Sequence, residues 1–248
     1  MKRVIATFAM IFACTSIAWC APVPYVLTTL KAIRGLSDAD ADKALPVAFE
    51  ATVTYYRQYE DTLFVEDDGA VMFIWAATGP ALIPGDRILV RGVTHRSFRP
   101  EVHCEEIIFL RHGLRPQPVP ATFDQLIRSQ LDCTLVTIHA IVRAVDMEIH
   151  TSMRDPHAPR MTSLSLELIT DSGSLQALVD SDDPGAPNSL LDAEVEITGV
   201  AGGVFNGKME QTGIALHVSS LADVKVLKRA AVSSRALPVT PMDQVLTA

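Results

Sequence analysis

The sequence predicts an all-β protein of two tandem five-stranded barrels, each preceded by a short helix. Three observations predict it. Strand-like segments recur in the same order in two halves of the chain. Each half carries an Asp-x-Gly turn between apolar runs and a glycine inside its fourth strand. The 248 residues hold 15 Pro and 13 Gly against 6% aromatics, a turn-rich composition unsuited to a coiled coil. With 48% hydrophobic and 20% charged residues the chain has enough apolar material for a core, which excludes disorder over its whole length. Net charge is 21 − 29 = −8, so the molecule as a whole lacks the cationic field that sequence-independent nucleic-acid binding uses.

Residues 1–21 read as a signal peptide or signal anchor. Lys2-Arg3 precedes the uncharged apolar run Val4 to Ala18, followed by Trp19-Cys20-Ala21-Pro22. The run is shorter than the ~20 residues that span a bilayer comfortably, which favours cleavage near Ala18 over a retained anchor. Trp19 directly before Cys20 is a poor match to a lipid-attachment site. The expected location is periplasmic or extracellular, with membrane contact only through this segment. Cys104 and Cys133 lie in the body, where an oxidising compartment permits a disulfide without dictating one. Two strand cysteines that never meet is the favoured reading.

Residues 22–113 form the first predicted domain. Thr28–Arg34 and Ser37–Ala44 are short amphipathic stretches, Ser37 being a plausible N-cap. Val47–Thr54 alternates apolar and other residues as a half-buried strand does. Leu63–Phe73 encloses Asp67-Asp68-Gly69, where glycine supplies the positive φ of a tight hairpin. Arg87–Val93 contains Gly92, with Phe98 six residues later, and Glu106–Leu110 closes the set. Residues 114–121, with Pro116, Pro118 and Pro120, read as a stiff linker.

Residues 122–230 repeat the plan. Thr122 and Gln125 have the capping-box spacing at a helix start. Val136–Arg143, Leu166–Ala177 with Asp171-Ser172-Gly173, Glu194–Val200 with Gly199 and a Phe six later at Phe205, and Asp223–Leu227 match the first copy in order. Growth of the second copy falls mainly in Asp146–Ser163, which reads as an exposed loop. Residues 231–248 are a tail. Strand count, glycine placement and copy length suggest the small Greek-key barrel called the OB-fold, in which a glycine or bulge lets the sheet bend to close. A β-sandwich of about ten strands is the structural competitor.

Leu27-Thr28-Thr29 with Arg34-Gly35-Leu36-Ser37, then Val53-Thr54-Tyr55-Tyr56, Phe64-Val65-Glu66-Asp67, Pro84-Gly85-Asp86-Arg87 and the closing Leu237-Pro238-Val239 carry a family resemblance. Over roughly Leu27 to Leu246 the chain resembles the extracytoplasmic sensor region of bacterial membrane-bound signalling proteins. In that family a tandem of small β-domains precedes a membrane helix and a histidine kinase or diguanylate cyclase module. The 248 residues contain no phosphoacceptor box or nucleotide-binding motif. The resemblance therefore implies a non-catalytic sensory module, either a truncated receptor or a free-standing secreted relative.

Candidate sites are few. His95, His103, Cys104 and His112 cluster in sequence, but adjacent strand residues such as His103 and Cys104 face opposite ways, and no metal is expected. Glu66-Asp67-Asp68 and Asp180–Asp183 do not continue into a calcium loop. Hydrolase, kinase and zinc-protease signatures are absent, so neither catalytic residues nor a cofactor are expected. Tyr55, Tyr56, Tyr59, Phe73 and Trp75 fall on the first three strands, where OB-folds present ligands, and Arg87, Arg91, Arg96 and Arg99 lie on and after the fourth. Tyr55, Tyr56, Trp75, Arg96 and Arg99 are the candidate ligand-binding residues, by stacking and charge. The competing expectation, favoured on the pattern, is that Phe73 and Trp75 fill the barrel and the arginines are solvated. A small ligand or a protein is the expected partner, the second copy serving as spacer or homodimer surface. The acidic charge argues against nucleic acid, although an OB protein binding oligonucleotide or oligosaccharide is the rival function.

Overall fold

The structure is a computed structural model and describes residues 25–76, 79–97, 99–151, 160–206, 208 and 210–230. The predicted leader, the C-terminal tail and Phe98 lie outside the described residues.

Two short helices open the first unit. Helix α1 (Leu30–Arg34) starts at Thr29, whose hydroxyl accepts the Ala32 N–H, and buries Leu30 and Ile33. Helix α2 (Asp38–Ala41) is capped by Ser37, as its sequence predicts. Strands β1 (Pro46–Arg57), β2 (Thr62–Asp67), β3 (Ala70–Trp75), β4 (Arg87–His95) and β5 (Glu101–Arg111) then close into a barrel in the order β1-β2-β3-β5-β4. Strands β3 and β5 run parallel, and all other neighbours are antiparallel. This is the OB topology. Its core is Val47, Phe49, Ala51 and Val53 from β1 packed on Leu63, Ile74, Ile88 and Val102. The β2–β3 turn places Asp68 and Gly69 at φ 49° and 72°, the paired left-handed conformation that its sequence predicts.

The second unit repeats that order. After β6 (Val119–Pro120) and α3 (Phe123–Ile127), whose Thr122/Gln125 capping box forms, come β7 (Leu135–His150), β8 (Met161–Ile169) and β9 (Ser174–Asp180). Helix α4 (Ala186–Leu190) leads into β10 (Glu194–Phe205), β11 (Gln211–Val218) and β12 (Val224–Lys228). Strand β11 lies between β9 and β10, parallel to β9, and β10 returns to β7, closing the same circuit. The β5 equivalent is here broken in two by a turn at Leu221–Asp223, and β12 pairs with the first half of β10. Two barrels are thus present, not a shared sandwich.

Three local expectations change. Asp146–His150 and Met161–Ser163, read as loop, extend the β7–β8 hairpin, with Asp146 opposite Ser165 and His150 opposite Met161. Gly173 does not adopt positive φ. A Cβ there would stand 2.3 Å from the Phe123 ring, so it is small for packing. Residues 119–120 of the proline-rich linker dock as β6 along β7.

The barrels share a third apolar cluster, in which Tyr55 and Phe64 of the first pack on Leu135 and Val200 of the second. A bulge in β1 makes this possible. Register shifts between Val53 and Tyr55, so the inward face passes from odd to even positions, turning Tyr55 and Arg57 out toward the second barrel. Arg57, fully buried, donates to Asp180 of β9 at 2.5 Å and to Glu60 at 3.1 Å, and its guanidinium lies 5.6 Å from the Tyr55 ring and 5.5 Å from the Tyr59 ring. Burial pushes the Asp180 carboxyl above its ordinary pKa, with Arg57 opposing.

Candidate ligand-binding cleft

Outside the first barrel, side chains two apart on each strand share a face. Strand β2 contributes Thr62 and Phe64, and β3 contributes Phe73 and Trp75, with Phe64 opposite Phe73 and Thr62 opposite Trp75. The three aromatic rings form a row, Phe64 to Phe73 at 5.4 Å and Phe73 to Trp75 at 5.2 Å, the latter pair edge to face. Phe73 and Trp75 therefore share a face, but the outer one. The expectation that they fill the barrel fails, because Met72 and Ile74, which bracket Phe73 on the strand, take the inward places. Trp75 keeps 46% of its surface exposed.

The row forms one wall of a cleft of about 520 Å³ whose other wall is the second barrel, a volume typical of small-ligand sites. Gly202 and Gly203 of β10 and His217 of β11 line that opposite wall. A Cβ on Gly202 would come 2.8 Å from His217 Nε2, so the glycine lets β10 lie flat against the imidazole. His217 stands between Tyr55 and Phe64, ring centroids 5.3 and 5.1 Å away, with Nδ1 buried and without a hydrogen-bond partner among the described residues. Burial, and then the Arg57 charge, lower its pKa to about 4, so the ring is neutral near pH 7.

Charge enters at the rim. Arg34 donates to the Val71 carbonyl at 2.5 Å and has no carboxylate partner among the described residues, while Arg99 pairs with Asp132 at 3.2 Å. Cys133 lies beside them, its thiol pKa raised by burial, in a left-handed conformation at φ 61°. Neither Cys133 nor Cys104 forms a disulfide.

Of the candidate ligand residues, Trp75 and Arg99 line the cleft. Tyr55 is fully buried beneath it, between the barrels. Tyr56, turned inward by the bulge, packs against the first core, and burial raises its phenol pKa. Arg96 is exposed on the turn after β4 and does not line the cleft. The other arginines are held by neighbours, Arg87 by Glu50 and Asp67 and Arg91 by Glu106. Sequence reasoning missed Arg34, His217 and the Gly202-Gly203 pair. Two glycines inside an otherwise apolar strand are the signal that would have found the last, since they mark close backbone approach.

No protein-family model matches the chain. No curated protein matches it either. Solved structures do. A putative aspartyl-tRNA synthetase from Leishmania major aligns at 16% identity over 53% of this chain and 24% of its own, TM-score 0.33. This chain thus spans about a quarter of that enzyme. A replication protein A heterotrimer bound to ssDNA aligns at 13% identity over 81% of this chain and 52% of that one, TM-score 0.32. A murine DNA-binding protein bound with ds DNA aligns at 14% identity over 78% and 99%, TM-score 0.31. The expectation set against nucleic acid as a partner is corrected here, since structures that align with this chain are described as bound to single- or double-stranded DNA.

Proposed function

We propose that the chain is a non-catalytic OB-fold binding protein that takes a short single-stranded oligonucleotide into the cleft between its barrels. The observation that carries this reading is the outward row Phe64–Phe73–Trp75, placed on the β2–β3 face and opening into a ligand-sized cleft. Aromatic faces accept any base by stacking, and the Arg34 guanidinium at the rim supplies charge for a phosphate, beside the Arg99–Asp132 pair. The test is titration with a short oligothymidylate at low salt, followed by anisotropy. Trp75→Ala should weaken binding by about 1–3 kcal/mol, and affinity should fall as salt rises. Absence of binding, or binding indifferent to Trp75→Ala, rejects the reading. Salt-independent binding of an oligosaccharide that needs Trp75 would transfer the cleft to that ligand.

A second reading is supported by the cleft having one wall from each barrel. Any occupant touches both, so binding is tied to how the barrels stand to one another, which is what a sensory module outside the cytoplasm requires. The basic start and apolar run of residues 2–18 support that location.

A further inference from the structure

We propose that His95, Glu101 and His103 form a binding site for one divalent transition-metal ion of the zinc class on the outer face of the β4–β5 hairpin. His95 and Glu101 are directly opposed across the two strands, and His103 follows Glu101 by two residues on the same face. One ligand atom from each lies within 4.8 Å of the other two. The two imidazoles stack, with centroids 4.2 Å apart and planes inclined by 11°.

The donor set selects the ion. Calcium and magnesium take oxygen ligands, whereas two imidazoles with one carboxylate suit zinc and its neighbours. Metal–nitrogen and metal–oxygen bonds of about 2.0–2.2 Å require the three donor atoms to converge on one point. His95 and His103 are exposed and Glu101 is partly so, so rotation about their side-chain bonds brings the lone pairs to one point without moving the strands. Cys104, the next residue, packs against the barrel core and stays out of the site. Three protein donors leave at least one coordination position open.

The position gives the ion a purpose in the fold. The turn between His95 and Glu101 carries Ser97, Arg99 and Pro100, all of which line the cleft, as does Glu101 itself. Trp75 is the β3 partner of His103. An ion clamping both ends of this turn would hold the Arg99 side of the rim beside the end of the aromatic row. The site rests on the hairpin geometry alone, whatever the cleft holds.

Untagged protein, freed of metal by chelator and dialysis, is titrated with zinc chloride by calorimetry, with His side-chain NMR resonances as a second readout. One equivalent should bind saturably, perturbing the imidazoles of His95 and His103 and leaving those of His112, His139 and His217 in place. Glu101→Gln should weaken binding about tenfold or more, and the His95→Ala, His103→Ala double variant should lose it. These residues are surface-facing, and circular dichroism confirms that each variant keeps the fold. No saturable binding, or one equivalent retained by the double variant, overturns the proposal.

Discussion

His217 shows how much one side chain can report about its surroundings. The folded protein holds it neutral, its pKa lowered from 6.5 to about 4 by burial and by Arg57. As pH falls through about 6.5 the unfolded chain takes up a proton that the folded chain refuses until about 4. Stability is therefore present above the unfolded pKa and lost as pH falls through that window, by up to about 3 kcal/mol. Asp180 works in the opposite sense. Its raised folded pKa means the folded state holds a proton longer than the unfolded one, which returns some stability on acidification. Urea denaturation at pH 7 and pH 4.5 should show the net acid loss, and His217→Gln should flatten it. An unchanged pH slope in that variant would refute the assignment.

Among the elements, the fourth and fifth strands of each barrel meet by the same device. A Cβ on Gly92 would stand 2.2 Å from the His103 carbonyl oxygen, and one on Gly199 would stand 2.9 Å from the His217 carbonyl oxygen. Gly92 also sits at a register shift between β4 and β5. Glycine lets the two backbones close at the bend that a small barrel needs. Gly92→Ala should destabilise by about 2–3 kcal/mol, because backbone and not a flexible side chain blocks the new atom. Gly69→Ala, where nothing lies within 4 Å and only φ 72° is unfavourable, should lose about 1 kcal/mol. Denaturation midpoints compare the two, and equal losses would show that the close approach carries no special weight.

At the scale of the molecule, the β1 bulge decides whether there are two beads on a string or one body. Tyr55, Phe64, Leu135 and Val200 join the cores, and the Arg57–Asp180 pair adds a buried charge contact beside them. One calorimetric transition is expected for the intact chain. Tyr55→Ala opens a space bounded by both barrels and should destabilise by about 3–5 kcal/mol, dividing the melt into two transitions. Separate transitions in the unaltered protein would mean that the joint is weaker than its burial implies.

Strand order in the first barrel, the Asp68-Gly69 turn, the Ser37 and Thr122 caps and the repeated Gly92 and Gly199 were legible in the residues, because each depends on a local rule of period, turn conformation or cap, whereas β11 was not read as a strand. The aromatic face was legible only as a shared face. Period-two alternation says that Phe73 and Trp75 point the same way, but not whether that way is in or out. Tyr55 and Tyr56 were misread because one extra residue at the bulge exchanges the two faces. The cleft itself could not be read from any window of sequence. Its walls, like Arg57 and Asp180, lie more than 100 residues apart in the chain, and only closure of both barrels and their packing at Tyr55 brings them together.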